Sequence, residues 1–137
     1  MEQIVEHVIE RMYVDELNLV YETDKGEKLY YQVEGDCCSS SYFAEIMHPE
    51  SLLGHKVVSV EELVPESGLP TIQEEDIIYG YRIESDKSEG LSNCIVAFRN
   101  SSNGYYGGWC EFKSLPAPDL GKMTEVTENY HADWRSF

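Results

Sequence analysis

Positive charge is what this sequence has least of. Ten Lys and Arg stand against 26 Asp and Glu, a formal balance of −16 over 137 residues. A chain so charged repels nucleic acid and anionic membrane, which excludes nonspecific DNA or RNA binding through a basic face. Long hydrophobic runs are also missing: no apolar stretch approaches the roughly 18 residues of a membrane span. The opening Met1-Glu2-Gln3-Ile4-Val5-Glu6 has no basic n-region, and no C-terminal lipidation signal is visible, so a soluble, cytoplasmic protein is expected. Cysteine is scarce and badly spaced for metal. Cys37, Cys38, Cys94 and Cys110 lack the paired C-x-x-C pattern of a structural zinc site, adjacent cysteines bridge only with strain, and reduced thiols are the expectation. There is no Gly-rich phosphate loop, no H-E-x-x-H and no nucleophile elbow. No cofactor, no metal and no catalytic residue is therefore assigned, and an enzyme is the minority expectation.

What is present points to antiparallel sheet. The stretch Cys94–Phe112 has two runs rich in β-branched and aromatic residues flanking Asn103-Gly104, the pair best suited to a tight hairpin turn, and it predicts a β-hairpin. A second hairpin is predicted from Leu17–Glu22 and Lys28–Glu34, with Gly26 supplying positive φ in the connection. Residues 4–14 carry apolar positions at helical spacing but are β-branched, and a strand is favoured. Ile77–Glu84 alternates as a strand with one wet face. Leu52–Val64 reads as turn then strand with Val58, Val60 and Leu63 inward, Pro65–Glu75 as an exposed loop, and Ser85–Ser92 as a turn.

One helix is expected. Gly35 breaks the preceding strand, serines 39–41 offer an N-cap, and Phe43, Ile46 and Met47 share a face at helical spacing, so 42–47 predicts a short helix across the sheet, its N-terminal N–H groups able to hold an anion. The fold class expected is thus α+β: a mostly antiparallel β-sheet, one short packed helix, and a polar C-terminal tail. Residues 1–114 form the single compact domain and 115–137 the tail, with Tyr130, Trp134 and Phe137 as docking points on a partner or in a homodimer.

Charge is uneven along the chain. Residues 1–36 hold ten acids against three bases, 37–75 seven against one, and 76–114 five against four. Carboxylates on a rigid surface can imitate a phosphate backbone and occupy a basic groove on another protein, while solubility alone is the bland alternative. A second feature is the bend Arg99–Tyr106, which gathers a guanidinium fork for phosphate or carboxylate with rings on which a base could stack. Asp36, Cys37, Cys38, Ser39, Arg99, Asn100, Ser101, Ser102, Asn103, Tyr105 and Tyr106 are the ligand-binding candidates. A metal site from His48 or His55 with Cys37 or Cys38 is a weaker option.

Three segments carry a resemblance. Gly35-Asp36-Cys37-Cys38-Ser39-Ser40-Ser41-Tyr42-Phe43, Leu53-Gly54 through Val60-Glu61-Glu62, and Phe98-Arg99-Asn100-Ser101-Ser102-Asn103-Gly104-Tyr105-Tyr106-Gly107-Gly108 resemble the signatures of a small bacteriophage and bacterial domain family classed as of unknown function, the 7448 type. The resemblance spans residues 5–112. It implies a phage or mobile-element setting and no particular chemistry. Three functions are carried forward: an acidic interaction protein that inhibits a host defence or nucleic-acid-binding protein, with a basic host protein as partner; a sponge for a nucleotide-like small molecule at the 99–106 corner; and a thiol- or metal-dependent enzyme.

Overall fold

The computed structural model describes residues 1–35, 39–63, 76–87, 93–101 and 107–132, residues 76 and 77 as backbone. Ten strands run through them: β1 (Val8–Val14), β2 (Asn18–Thr23), β3 (Lys28–Gly35), β4 (Ser40–Met47), β5 (His55–Leu63), β6 (Asp76–Ser85), β7 (Cys94–Ser101), β8 (Gly108–Lys113), β9 (Thr124–Glu125) and β10 (Tyr130–His131). All pairings are antiparallel, in the order β10-β4-β7-β6-β5-β1-β2-β3-β8, with β9 alongside β1. The early hairpin forms as its two strand-like runs and Gly26 predict, β2 pairing β3 from Asn18↔Gln32 to Glu22↔Lys28, with Gly26 at φ +83°.

The helix across the sheet does not exist. Among the described residues the only helical pieces are three-residue 3₁₀ turns, and 42–47 lies inside β4, so the fold is a β-sandwich-like antiparallel sheet and not α+β. The reason is a bulge. The β4–β7 register slips between Phe43 and Glu45, leaving Ala44 as an extra residue, and this brings Phe43 and Ile46, three apart, onto the same buried face. A spacing of three is a helical signal in an unbroken chain and a strand signal across a bulge. The same device accounts for residues 4–14, where a slip between Ile9 and Arg11 sets fully buried Ile9 and Met12 three apart inside strand β1. It also turns β5: a slip between Val57 and Ser59 buries Val57 and leaves Val58, expected inward, 48% exposed.

The late hairpin is corrected too. Strands β7 and β8 form where the β-branched and aromatic runs predict them, but neither pairs with the other. β8 pairs β3 from Tyr30↔Lys113 to Gly35↔Gly108, and β7 pairs β4 from Ser40↔Ser101 to Met47↔Ile95. The same two stretches of chain stay partnered on both sides of a corner, 30–35 with 108–113 and 40–47 with 95–101, as a bent ribbon. Asn103-Gly104 itself lies outside the described residues, as do the expected loop Pro65–Glu75 and residues 88–92 of the expected turn Ser85–Ser92, whose residues 86 and 87 do form a turn after β6.

The ribbon's bend folds the sheet over one core. Ile9, Met12, Leu19, Tyr21 and Tyr31 of one half meet Phe43, Ile46, Val57, Ile83, Val96 and Phe98 of the other. Tyr79 stacks on Phe98 with centroids 4.9 Å apart, and Phe98 meets Phe43 edge-on at 6.3 Å, geometries aromatic pairs favour. Within residues 114–132 the chain returns to the body: β9 pairs with β1, β10 pairs with β4, and Val126 between them is 2% exposed, while Trp134 and Phe137 lie outside the described residues.

Candidate functional site

Two of the candidate residues, Ser39 and Asn100, meet at the corner of the ribbon. Register sets Gly35 opposite Gly108 on one side of the bend and Ser41 opposite Asn100 on the other. Asn100 alternates with Phe98 and so points inward, with no exposed surface. Its Nδ2 donates to Ser41 Oγ at 3.0 Å and to Ser39 Oγ at 3.2 Å, and Ser41 Oγ donates to the Glu34 carbonyl at 2.7 Å. The two glycines make the space. A Cβ on Gly35 would stand 2.7 Å from Ser39 Oγ and 2.9 Å from Asn100 Nδ2, and one on Gly108 would overlap Ser41 Oγ and crowd the Glu34 carbonyl at 2.9 Å. Gly108 N–H donates to the Tyr79 hydroxyl at 3.3 Å, tying β8 to β6 across the interior. Asn100 Oδ1 is buried with no hydrogen-bond partner among the described residues, and a buried acceptor left so costs about 1–3 kcal/mol of desolvation.

Ser39 and Asn100 are thus brought together in the interior, and Ser101 ends β7 half-exposed opposite Ser40. Arg99 is not with them. As Asn100's neighbour on a strand it points to the opposite face, where Tyr42 is its register partner. Asp36, Cys37, Cys38, Ser102, Asn103, Tyr105 and Tyr106 lie outside the described residues.

On that outer face Arg99 borders a hollow of about 230 Å³ lined by Tyr42, Ala44, Glu45, Arg99, His131 and Ala132. Arg99 Nη2 lies 3.3 Å from Glu45 Oε1, and the other oxygen, Oε2, lies 3.8 Å from His131 Nδ1. The arrangement exists because the β4 bulge changes which residues face out after Phe43, and because β10 docks with His131 opposite Glu45. Sequence reasoning missed Glu45 and His131: one sat in a segment resembling a helix, the other in an apparent tail, and no local signal joins residues 86 positions apart. Ser41 was visible only as an N-cap serine.

The described thiols are poorly suited to nucleophilic chemistry. Cys94 and Cys110 are free, and burial pushes both up to about 12, so they stay protonated at neutral pH. His48 Nδ1 lies 3.4 Å from Glu50 and His55 Nδ1 3.3 Å from Asp86. Among the described residues no three His, Cys, Asp or Glu gather closely enough to hold a metal ion, and no helix is long and apolar enough to cross a membrane.

Charge on the surface is one-sided. Lys28, Lys56, Arg82, Arg99 and Lys113 each lie within 3.7 Å of a carboxylate. Among the described residues Glu2, Glu10, Glu16, Asp24, Glu62, Asp119 and Glu128 are exposed without an ion pair, as are the four cations Arg11, Lys25, Lys87 and Lys122. The exposed carboxylates occupy both halves of the sandwich, because the acidic β4–β5 stretch of sequence shares a layer with the near-neutral β6 and β7.

A family model described as Domain of unknown function (DUF7448) matches residues 2–112. An uncharacterised protein of Acanthamoeba polyphaga mimivirus is 38% identical over 97 residues, covering 68% of this chain and 72% of the viral one. No solved structure matches.

Proposed function

The chain belongs to the DUF7448 family, and from that premise we propose that it is a non-catalytic acidic interaction protein of a virus, phage or other mobile element, whose carboxylates occupy a basic surface on a host defence or nucleic-acid-binding protein. The observation that carries this reading is the state of the cations. Five of the nine described Lys and Arg side chains are held in ion pairs, and the excess of carboxylates on a chain of −16 keeps the outward field negative. The mimivirus relative supports the viral setting. A rigid sandwich suits mimicry, since fixed carboxylates lose little conformational freedom on binding.

The nucleotide sponge is less well supported. The hollow beside Arg99, about 230 Å³, is smaller than the roughly 300–1,000 Å³ of drug-sized sites, and Glu45 within it repels phosphate. A thiol enzyme would have to use Cys37 or Cys38, because burial keeps Cys94 and Cys110 protonated.

The test is capture from host lysate followed by two elutions of the same bead-bound complex, one with a salt gradient and one with duplex DNA. A basic partner released by moderate salt and displaced by DNA supports the proposal, because charge-dominated association weakens steeply with ionic strength. A captured partner that resists both, or that leaves with salt but ignores DNA, overturns the mimicry.

A further inference from the structure

We propose that the hollow between β4, β7 and β10 binds a small zwitterion, an α-amino acid or a compound with the same ammonium-and-carboxylate head, held between Arg99 and Glu45. It stands on geometry separate from that of the acidic surface. Three strands fix the walls: Tyr42 opposite Arg99 in the β4–β7 ladder, Glu45 opposite His131 in the β4–β10 ladder, and Ala132 N–H donating to the Ala44 carbonyl at 2.8 Å. Within them a guanidinium and a carboxylate lie side by side at 3.3 Å, each with its side chain 31% exposed. That pair uses one of the guanidinium's five N–H donors and one of the two carboxylate oxygens.

The overall field decides the charge of the occupant. On a chain of −16, a simple anion approaches against the whole-molecule potential and then meets Glu45. A simple cation is drawn equally to any exposed carboxylate and here meets Arg99. A ligand of zero net charge carrying both groups escapes both penalties: its carboxylate takes the guanidinium fork, its ammonium takes Glu45, and no buried charge is left uncompensated. Volume sets the size. The hollow, about 230 Å³, is below the roughly 300–1,000 Å³ of drug-sized sites and so suits a ligand of amino-acid size better than a nucleotide. Ala44 and Ala132 give short apolar walls, so a small aliphatic side chain fits best.

An ¹H–¹⁵N titration of the full chain with glycine, L-alanine and L-valine tests this, with acetate and methylamine as the two halves of the ligand. Saturable shifts at Tyr42, Glu45, Arg99 and His131 with at least one amino acid, and binding weaker by about tenfold for either half alone, support the site. Glu45→Gln and Arg99→Lys should each weaken amino-acid binding by about tenfold or more while the rest of the spectrum stays in place. Absence of saturable shifts from all three amino acids, acetate binding as well as alanine, or a folded Glu45→Gln chain binding as the parent would each overturn it. If a variant fails to fold, the comparison of whole and half ligands on the unaltered chain decides alone. None of these outcomes touches capture of a basic partner, so the two proposals fail separately.

Discussion

Glycine at position 108 is held there by crowding, since any Cβ would overlap Ser41 Oγ and press on the Glu34 carbonyl. Gly108→Ala should therefore destabilise the fold by about 1–3 kcal/mol, the usual cost of overpacking. Chemical denaturation measures it, and adding Ser41→Ala should recover part of the loss by removing the overlapped oxygen. Parent-like stability of the single variant would refute the close approach. Asn100→Asp is a sharper test of the same corner: it replaces the donor to Ser39 and Ser41 with a buried carboxylate facing the Ser41 and Ser39 oxygens. An uncompensated buried charge of this kind costs about 3–5 kcal/mol or titrates instead, so the variant should recover stability as pH falls and its carboxylate is protonated.

Bulges and docked short strands govern behaviour at the level of elements. Ala44 is the extra residue of the β4 bulge, so deleting it leaves Phe43 and Ile46 two apart, still on the core face, with Glu45 opposite Ala97 and Ile46 opposite Val96 in an unbroken ladder. The deletion should keep a cooperative unfolding transition at a lower denaturation midpoint, whereas Ile46→Asp, which puts a charge on the buried face, should abolish it; loss of the transition in the deletion itself would show that the bulge is indispensable to the fold. The β9–β10 segment is anchored by Val126, 2% exposed, and by two short ladders. Val126→Ala should cost about 1–3 kcal/mol and speed proteolytic cutting between residues 114 and 132 before the body is cut. Simultaneous cutting throughout the chain would show instead that the segment and body open together.

For the whole molecule, charge and buried acids with raised pKa set the response to solvent. Self-repulsion at −16 opposes the compact state, so Tm should rise as sodium chloride is increased from about 20 to 500 mM, a range over which the Debye length falls several-fold. Alkali acts through the core. Cys94 and Cys110 sit at about 12 in the fold against an ordinary value of 9.0, and burial likewise raises Tyr21, Tyr31 and Tyr81. In this window the native state binds more protons than the unfolded chain, so stability is full below the unfolded values and falls as pH rises through about 9 to 12. Denaturation midpoints at about pH 8 and pH 10.5 should show that drop, and alkylation of the native chain at about pH 8 should be slow at both thiols.

Local chemistry was enough for the sequence by itself to determine a good deal. Strand-like runs marked β2 and β3, alternation marked β6, Gly26 marked its turn, the charge balance fixed the sign of the outer field, and three quoted segments pointed to the family. Tertiary structure alone decided what depends on partners far along the chain. Bulges at β1, β4 and β5 are register slips against neighbouring strands, and with no view of the neighbour a spacing of three reads as helix. The fate of β7 and β8 turned on the same point, because both strands are legible locally while their partners, β4 and β3, lie about 50 to 80 positions earlier in the chain. Arg99 and Asn100, adjacent in the chain, were parted to opposite faces by strand pleating, and Glu45 and His131 were joined only by docking of β10. A sequence records what each residue tolerates; which long-range contacts it makes is settled by the collective burial of one core.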